Sequence, residues 1–309
     1  MKENVILVIG ACTLDRIITV TEYPREDSKV RSQSIYETGG GNAANTATAI
    51  SKLCCPTLLS KLLPLQTKFE NEPQNKSSIQ VKLLTKLGDD AMFQQLCKEL
   101  VDANVDISSD LFLKGDVGTT TSVTTVVVSK KNHTRTCIFT PGTCGEITEQ
   151  DVINIKNNNR LDHLFENVIH LHSDSRHTKA AILLAKEARQ RDIPVSVDIE
   201  RDRGPSMDEL LNLATIIFTN QDQMSAYMER QRSEWKSRYQ ELWDNSSNDT
   251  NKTICISDTL TYEASIFHPG DFHTLQKSSL LSHVASSANL IHHLLRRYDK
   301  QRKDLIITR

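Results

Sequence analysis

Short apolar runs alternate along the chain with longer amphipathic stretches. The apolar runs predict strands at 5–10, 79–84, 167–172, 193–199 and 215–219. The amphipathic stretches predict helices from the glycines to about 53, then at 91–103, 148–157, 176–191, 206–213, 221–243 and 278–298. Strand–helix–strand units of this length are typical of a parallel sheet with helices on both faces. The expected fold class is therefore α/β, a doubly wound, mostly parallel sheet flanked by helices.

Two other regions have a different pattern. Residues 118–128 are β-branched almost throughout, which predicts a strand, and 129–133 predict a turn from which 134–140 return. Arg135 lies on the returning strand, where a charge is most simply explained as a solvated edge residue. Near the C-terminus we predict a strand at 253–257 and a hairpin at 263–275, followed by the last helix and a basic tail at 299–309.

Three consecutive glycines, residues 39–41, break an extended stretch just before a helix rich in small residues. Glycine allows a ligand to approach the backbone closely, and Asn42 and Asn45 fall three apart on the first helical turn. Amides there can donate hydrogen bonds to a ligand rich in hydroxyls and accept hydrogen bonds from it. Asp15 is an upstream carboxylate that can also accept hydrogen bonds from such a ligand. The alternatives are a glycine turn leading into a core helix and an aspartate that caps a neighbouring N–H.

The charge and cysteine content narrow the class of protein. The net charge is −2 and the pI about 6.6, so nothing favours nucleic acid or an anionic membrane as a partner. We find no apolar run near the roughly 20 residues of a membrane span and expect no signal peptide. Seven irregularly spaced cysteines favour a reducing, cytoplasmic setting. His170, His172 and His177 cluster, but nothing completes a ligand set, so no metal site is predicted.

Several motifs in this order resemble the ribokinase-like (pfkB) family of carbohydrate kinases, and within it the ketohexokinases most closely. The matching stretches are 23–31, 40–45, 88–90, the threonine-rich strand at 118–128, the arginine after the 129–133 turn, and 218–220. The resemblance runs with gaps over about residues 4–275. It implies one pfkB-like domain over residues 1–309.

The resemblance also implies residue roles. Asp15, Gly41, Asn42 and Asn45 are similar to the sugar-binding set of the family, and Arg135 is similar to a lid-strand arginine that approaches the nucleotide phosphates. The implied reaction uses ATP with Mg²⁺ to phosphorylate a hydroxyl of a small sugar, such as a ketohexose. Strands near 16–36 and 118–140 would form a small β lid, and the lid would also hold a second subunit in a homodimer.

The chain departs from the family pattern in three places. A polar loop at 64–78 is predicted to be an insertion, and Tyr262 falls where the family keeps a glycine in its nucleotide-side loop. After residue 275 the segment Asp-Thr-x-Gly-Ala-Gly-Asp, which carries the catalytic base of the family, is absent. Asp258 and Asp271 only superficially echo this segment, so no catalytic base is assigned. The alternatives to an active kinase are a sugar-binding pseudokinase and an incomplete splice or gene-model product.

Overall fold

A computed structural model describes residues 4–54, 79–108 and 112–220, six residues between 222 and 230, and the strand Asp304–Thr308. Several predictions lie outside these residues. They are the polar loop at 64–78, most of the helix at 221–243, the strand at 253–257, the hairpin at 263–275, the helix at 278–298, Asp258, Tyr262, Asp271 and the segment expected after 275.

Twelve strands and six helices are present in the described residues. The strands are β1 Asn4–Ile9, β2 Thr13–Val20, β3 Ser34–Gly40, β4 Ile79–Asp89, β5 Val105–Asp106, β6 Phe112–Val117, β7 Val123–Ser129, β8 Thr134–Thr140, β9 Val168–Ser173, β10 Val195–Ile199, β11 Ile216–Asn220 and β12 Asp304–Thr308. The helices are α1 Asn42–Leu53, α2 Ala91–Asp102, α3 Glu149–Asn157, α4 Leu161–Leu164, α5 Thr178–Gln190 and α6 Pro205–Leu213.

The chain divides into two compact units. The first comprises residues 1–198 and 203–216, and its larger sheet has the order β10-β9-β1-β4-β5, with β6 also paired to β4. Every one of these strand pairs is parallel. The second unit comprises residues 199–202 and 217–309, and in it β12 lies beside β11. The mostly parallel α/β sheet predicted from the sequence is confirmed.

Helices cover both faces of the larger sheet in the first unit. Leu7, Val8 and Ile9 are consecutive on β1 and all are fully buried, although neighbouring residues of a strand point to opposite faces. On the face of Val8, α1 packs through alanines, which let its backbone approach the sheet closely. The apolar cluster on this face contains Val8, Cys12, Leu14, Ala43, Ala44, Ala47, Val81, Leu83, Leu87, Leu96, Leu100, Ala103 and Val105.

A separate four-stranded sheet in the first unit has the order β3-β2-β7-β8, and we call it the lid sheet. It mixes antiparallel and parallel pairing, because β2 runs antiparallel to β3 and parallel to β7. Its register places Thr38, Asp15 and Thr124 side by side across β3, β2 and β7. Residues of one cross-strand row share a face of the sheet, so Asp15 lies between two threonines.

The structure corrects the sequence prediction in several places. Gly39 and Gly40 do not break the extended stretch, because β3 runs through them and only Gly41 leaves the strand conformation. The β-branched run at 118–128 pairs only from Val123, since threonine hydroxyls before it accept from backbone N–H groups at the end of β4. The short β5 and β6 were not predicted, and the expected basic tail contains β12.

Candidate functional site

Asp15 is a half-buried carboxylate on β2 of the lid sheet. The Thr13 hydroxyl donates to Asp15 Oδ1 at 3.1 Å, and the Thr124 side chain also hydrogen-bonds to this carboxylate. Burial raises the pKa of Asp15 above its usual value, and the two threonines and the charge of Arg135 oppose the rise only partly. The fold therefore maintains a carboxylate in a place where ionisation is disfavoured, which is typical of functional sites.

The adjacent glycines Gly39 and Gly40 lie between two carboxylates. A Cβ on Gly40 would overlap the Asp15 carboxylate, whereas a Cβ on Gly39 would lie 2.9 Å from Glu99 Oε2. Successive residues of a strand face opposite ways, so Asp15 and Glu99 contact this glycine pair from opposite sides. Only residues without side chains leave room for both acids.

Gly41 connects β3 to α1 and is the N-cap of that helix. Its φ of 91° and ψ of 138° lie in a region that side chains disfavour. A Cβ there would also lie 2.5 Å from the carbonyl oxygen of Ala11. The chain therefore requires glycine at this position for two independent reasons.

We expect Gly41→Ala to lower the free energy of unfolding by about 1–3 kcal/mol, because the strained backbone conformation and the Ala11 carbonyl both oppose a side chain. Urea unfolding followed by circular dichroism measures this change. Gly145→Ala is the matched control, since Gly145 also has a positive φ but a Cβ there would meet no atom within 4 Å. Equal losses in the two variants would contradict the predicted clash.

The two amides on the first turn of α1 have different surroundings. Asn42 is half-buried and Asn45 is exposed, and the backbone N–H of Asn45 donates to the Gly41 carbonyl at 2.9 Å. Asn45 lines a cleft of about 420 Å³ together with Thr38, Gly39 and Glu99. Asp15, Gly41 and Asn42 are not among the residues that line this cleft. This cleft therefore brings Asn45 beside Gly39 and Glu99, and it does not bring Asn45 together with Asp15, Gly41 and Asn42.

Arg135 is exposed on β8 and lies opposite Val128 of β7, which in turn lies opposite Thr19 of β2. This register places Arg135 on the same sheet face as Asp15 and four residues further along, about 13 Å at 3.3 Å per residue. The arginine is near enough to lower the pKa of Asp15. One face of the lid sheet therefore carries both a carboxylate and a guanidinium.

Asp174, which the sequence analysis did not select, connects β1, β9 and α1. Its side chain is 1% exposed, and Oδ2 accepts from the backbone N–H of Ala11 at 2.8 Å and of Ala43 at 3.1 Å. Oδ1 accepts from the N–H of Arg176 at 2.9 Å. The signal in the sequence is an aspartate just after a buried strand, at the carboxyl edge where α/β sheets bind ligands.

We expect Asp174→Ala to lower the free energy of unfolding by about 2–4 kcal/mol, because backbone N–H groups of Ala11 and Ala43 would lose a charged acceptor inside the protein. Urea unfolding measures the loss. The exposed Glu166, just before β9, provides the control variant Glu166→Ala. A loss for Asp174→Ala no larger than that of the control would show that these bonds contribute nothing.

The three histidines in and after β9 form hydrogen bonds within the protein. His170 Nε2 and His172 Nδ1 lie 2.7 and 2.9 Å from the same Ser196 hydroxyl. His177 Nδ1 accepts from the backbone N–H of Ile147 at 3.3 Å. Within the described residues, no group of three histidine, cysteine or acidic side chains is placed to hold a metal ion.

None of the helices in the described part of the chain combines the length and the apolar character needed to cross a bilayer.

Solved structures share this fold. They include Arabidopsis thaliana ribokinase complexed with ribose and ATP, at 17% identity and a TM-score of 0.53, covering 73% of this chain and 62% of that one. Thermotoga maritima ribokinase is 16% identical with a TM-score of 0.53, and the match covers 74% of this chain and 63% of that one. Methanocaldococcus jannaschii nucleoside kinase is 18% identical with a TM-score of 0.51, and the match covers 73% of this chain and 63% of that one. The chain thus spans less than two thirds of the length of these structures. At these identities the likeness shows the ribokinase fold.

The sequence itself shows the family. The profile of the pfkB family carbohydrate kinases matches residues 3–244, which is most of the chain and includes the lid sheet, the glycines, Asp15 and Asp174. The chain therefore belongs to the pfkB family of carbohydrate kinases.

Proposed function

We propose that the chain binds a small sugar at Asp15 and the start of α1, and that it phosphorylates a hydroxyl of that sugar with ATP. The observation that carries this proposal is the half-buried Asp15 carboxylate, whose pKa is raised by burial, beside a glycine pair and a helix start. A carboxylate that is already partly dehydrated is a strong acceptor for sugar hydroxyls.

In this proposal each sugar-binding residue has a definite role. Asp15 accepts hydrogen bonds from hydroxyls, and the backbone at Gly41 allows the sugar to approach the start of α1. The amides of Asn42 and Asn45 both donate and accept, which matches the mixed character of a polyol. The motifs shared with ketohexokinases favour a ketohexose as the substrate.

Arg135 is proposed to approach the phosphates of the nucleotide, because its guanidinium is exposed on the sheet face that carries Asp15. A positive charge there offsets the negative charge that develops on a transferring phosphoryl group. Mg²⁺ would accompany the nucleotide and would offset part of its phosphate charge, as it usually keeps few protein ligands in such sites. The sugar-binding residues contribute orientation, which brings the acceptor hydroxyl within reach.

The sequence observation that favours a second function is the absence of the Asp-Thr-x-Gly-Ala-Gly-Asp segment, which carries the catalytic base of the family. Losing oxyanion donors alone reduces a rate by about 10²–10³, and losing a base reduces it further. A sugar-binding pseudokinase is therefore the alternative, since Asp15, Gly41 and the amides of α1 would still bind the ligand.

The test combines binding and turnover on the purified chain. Isothermal titration with a panel of sugars measures binding, and a coupled assay of ADP formation from ATP–Mg²⁺ measures transfer. Sugar-dependent ADP formation supports the kinase, and sugar binding without it supports the pseudokinase. No binding of any ketose, aldose or nucleoside would overturn the proposed sugar site.

We also propose that the protein is cytoplasmic and forms a homodimer through the lid sheet. Ile35 and Ile138 lie on the sheet face opposite Asp15 and are 59% and 55% exposed. Burying such side chains against a second lid would remove apolar surface from water. Light scattering should then give twice the chain mass of 34.8 kDa, and a monomer at micromolar concentration would contradict the dimer.

A further inference from the structure

The edge of the lid sheet is attached to α2 through one carboxylate. Because β3 is an edge strand among the described residues, the N–H groups on its outer side have no strand partner there. Glu99 of α2 accepts from the Gly39 N–H at 2.6 Å and from the Thr38 hydroxyl at 3.4 Å. Its other oxygen accepts from the side-chain amide of Gln95 at 3.0 Å, which holds the carboxylate in place.

A second carboxylate at the other end of α2 attaches the root of β7. Asp90 is the N-cap of α2 and accepts from the Phe93 N–H at 3.1 Å. It also accepts from the N–H of Thr121 at 2.6 Å and from the Thr121 hydroxyl at 3.0 Å. Thr121 is buried, and it precedes β7 by two residues.

These two attachments converge on Asp15. One cross-strand neighbour of Asp15 is Thr38, which hydrogen-bonds to Glu99. The other is Thr124, which lies three residues after Thr121, the residue that hydrogen-bonds to Asp90. The anchors are nine residues apart on α2, about 14 Å at 1.5 Å per residue. A single rigid helix therefore holds the strands on both sides of the one that carries Asp15.

We infer that Asp90 and Glu99 are positioning residues, which fix the lid sheet so that Asp15 and the glycines Gly39–Gly41 keep the geometry that binds the sugar. The inference rests on the proposed function for its effect on sugar binding. The attachment of the sheet itself can be measured without any ligand. Neither acid needs to touch the sugar, because both act through the strands they hold.

The test of the first anchor compares Glu99→Ala with Asp102→Ala. Asp102 lies three residues further on α2, lines the same cleft and forms only an exposed ion pair with Lys98 at 3.7 Å. Amide hydrogen exchange should show at least tenfold faster exchange at Gly39 in Glu99→Ala, with unchanged protection in β1. Asp102→Ala should leave Gly39 unchanged. Glu99→Gln, whose amide oxygen can still accept, should restore most of the protection.

The test of the second anchor compares Asp90→Ala with Asp89→Ala. The neighbouring Asp89 forms an ion pair with Lys114 at 2.5 Å and makes no side-chain bond to Thr121 in the structure. Asp90→Ala should accelerate exchange at the Thr121 amide at least tenfold, since it removes both acceptor oxygens, whereas Asp89→Ala should not. This second pair keeps the inference testable if Glu99→Ala does not fold.

Sugar titration then separates positioning from general stability. We expect the sugar Kd to rise about tenfold in Glu99→Ala and Asp90→Ala and to stay within twofold in both controls. Unchanged exchange at Gly39 and Thr121 would overturn the inference, and so would faster exchange together with an unchanged Kd. A wild-type chain that binds no sugar would defeat the proposed function, and the exchange measurements would still decide whether α2 holds the lid sheet.

Discussion

Asp15→Asn is expected to weaken sugar binding about a thousandfold, roughly 4 kcal/mol, while leaving the protein as stable as the wild type or more stable. The loss follows because a neutral amide offers one acceptor oxygen where the carboxylate offers two charged ones. Stability should not fall, because burial raises the pKa of Asp15 and its ionisation therefore opposes folding at neutral pH. Such a trade between stability and function is common at binding sites.

Isothermal titration and thermal unfolding of the same samples measure both parts of this prediction. Glu37→Gln is the control, because Glu37 lies on the neighbouring strand of the same sheet and pairs with Arg16 at 2.7 Å in an exposed position. It should change neither the sugar Kd nor the unfolding temperature appreciably. If Asp15→Asn binds sugar as tightly as Glu37→Gln does, then Asp15 is not a sugar ligand.

Acidification is expected to destabilise the protein between pH 6.5 and about pH 4. Burial lowers the pKa of His172 to about 4 and that of His177 to about 4, from an ordinary value of 6.5. In this window the unfolded chain binds two protons that the folded chain does not, so the free energy of unfolding falls as pH falls. Each histidine contributes up to about 3 kcal/mol, at about 1.4 kcal/mol per pH unit.

The surroundings of the two rings explain the direction. His172 shares the Ser196 hydroxyl with His170, and a hydroxyl can donate to only one of two rings. His177 accepts an N–H from Ile147 and so must be neutral at Nδ1, and the charges of Arg176, Arg203 and Lys86 add to the effect of burial. Protonation of His177 would remove the acceptor of the Ile147 N–H and place a cation near three other cations. Protonation of His172 would place a cation in a buried site beside a second histidine.

Urea unfolding at a series of pH values measures the slope. His172→Gln should reduce it by about half, whereas the exposed turn residue His133 provides the control His133→Gln, which should leave it unchanged. Stability that stays constant from pH 6.5 to pH 4.5 would show that these rings titrate normally in the folded protein.

Periodicity predicted the strands and helices of the larger sheet, because apolar runs and amphipathic stretches report burial directly. It did not predict that β3 continues through Gly39 and Gly40, since both glycines pair with β2 and Gly39 also donates to Glu99, a side chain 60 residues further along the chain. The threonines before β7 have strong strand propensity, yet they bond to Asp90 and to the N–H groups of Gly88 and Asp89 instead. Local propensity cannot register such distant partners.

The candidate site was predicted in the same uneven way. The motif from Gly41 to Asn45 and the carboxylate of Asp15 could be selected from residue chemistry and family resemblance. Asp174 was not selected, because its one signal in the sequence is its place just after a buried strand, and its acceptor role appears only when β1, β9 and α1 are assembled. Arg135 was selected by resemblance alone, and only the register of the lid sheet places it on the face of Asp15.

The bonds of Asp174 have a consequence for the order of events during synthesis. Its partners Ala11 and Ala43 precede it by 163 and 131 residues, so the turn after β1 and the start of α1 emerge from the ribosome long before their acceptor does. Contacts this distant in sequence form late, because a long loop must close first. The nascent chain must therefore extend past β9 before the turn after β1 and the start of α1 can take their final shape.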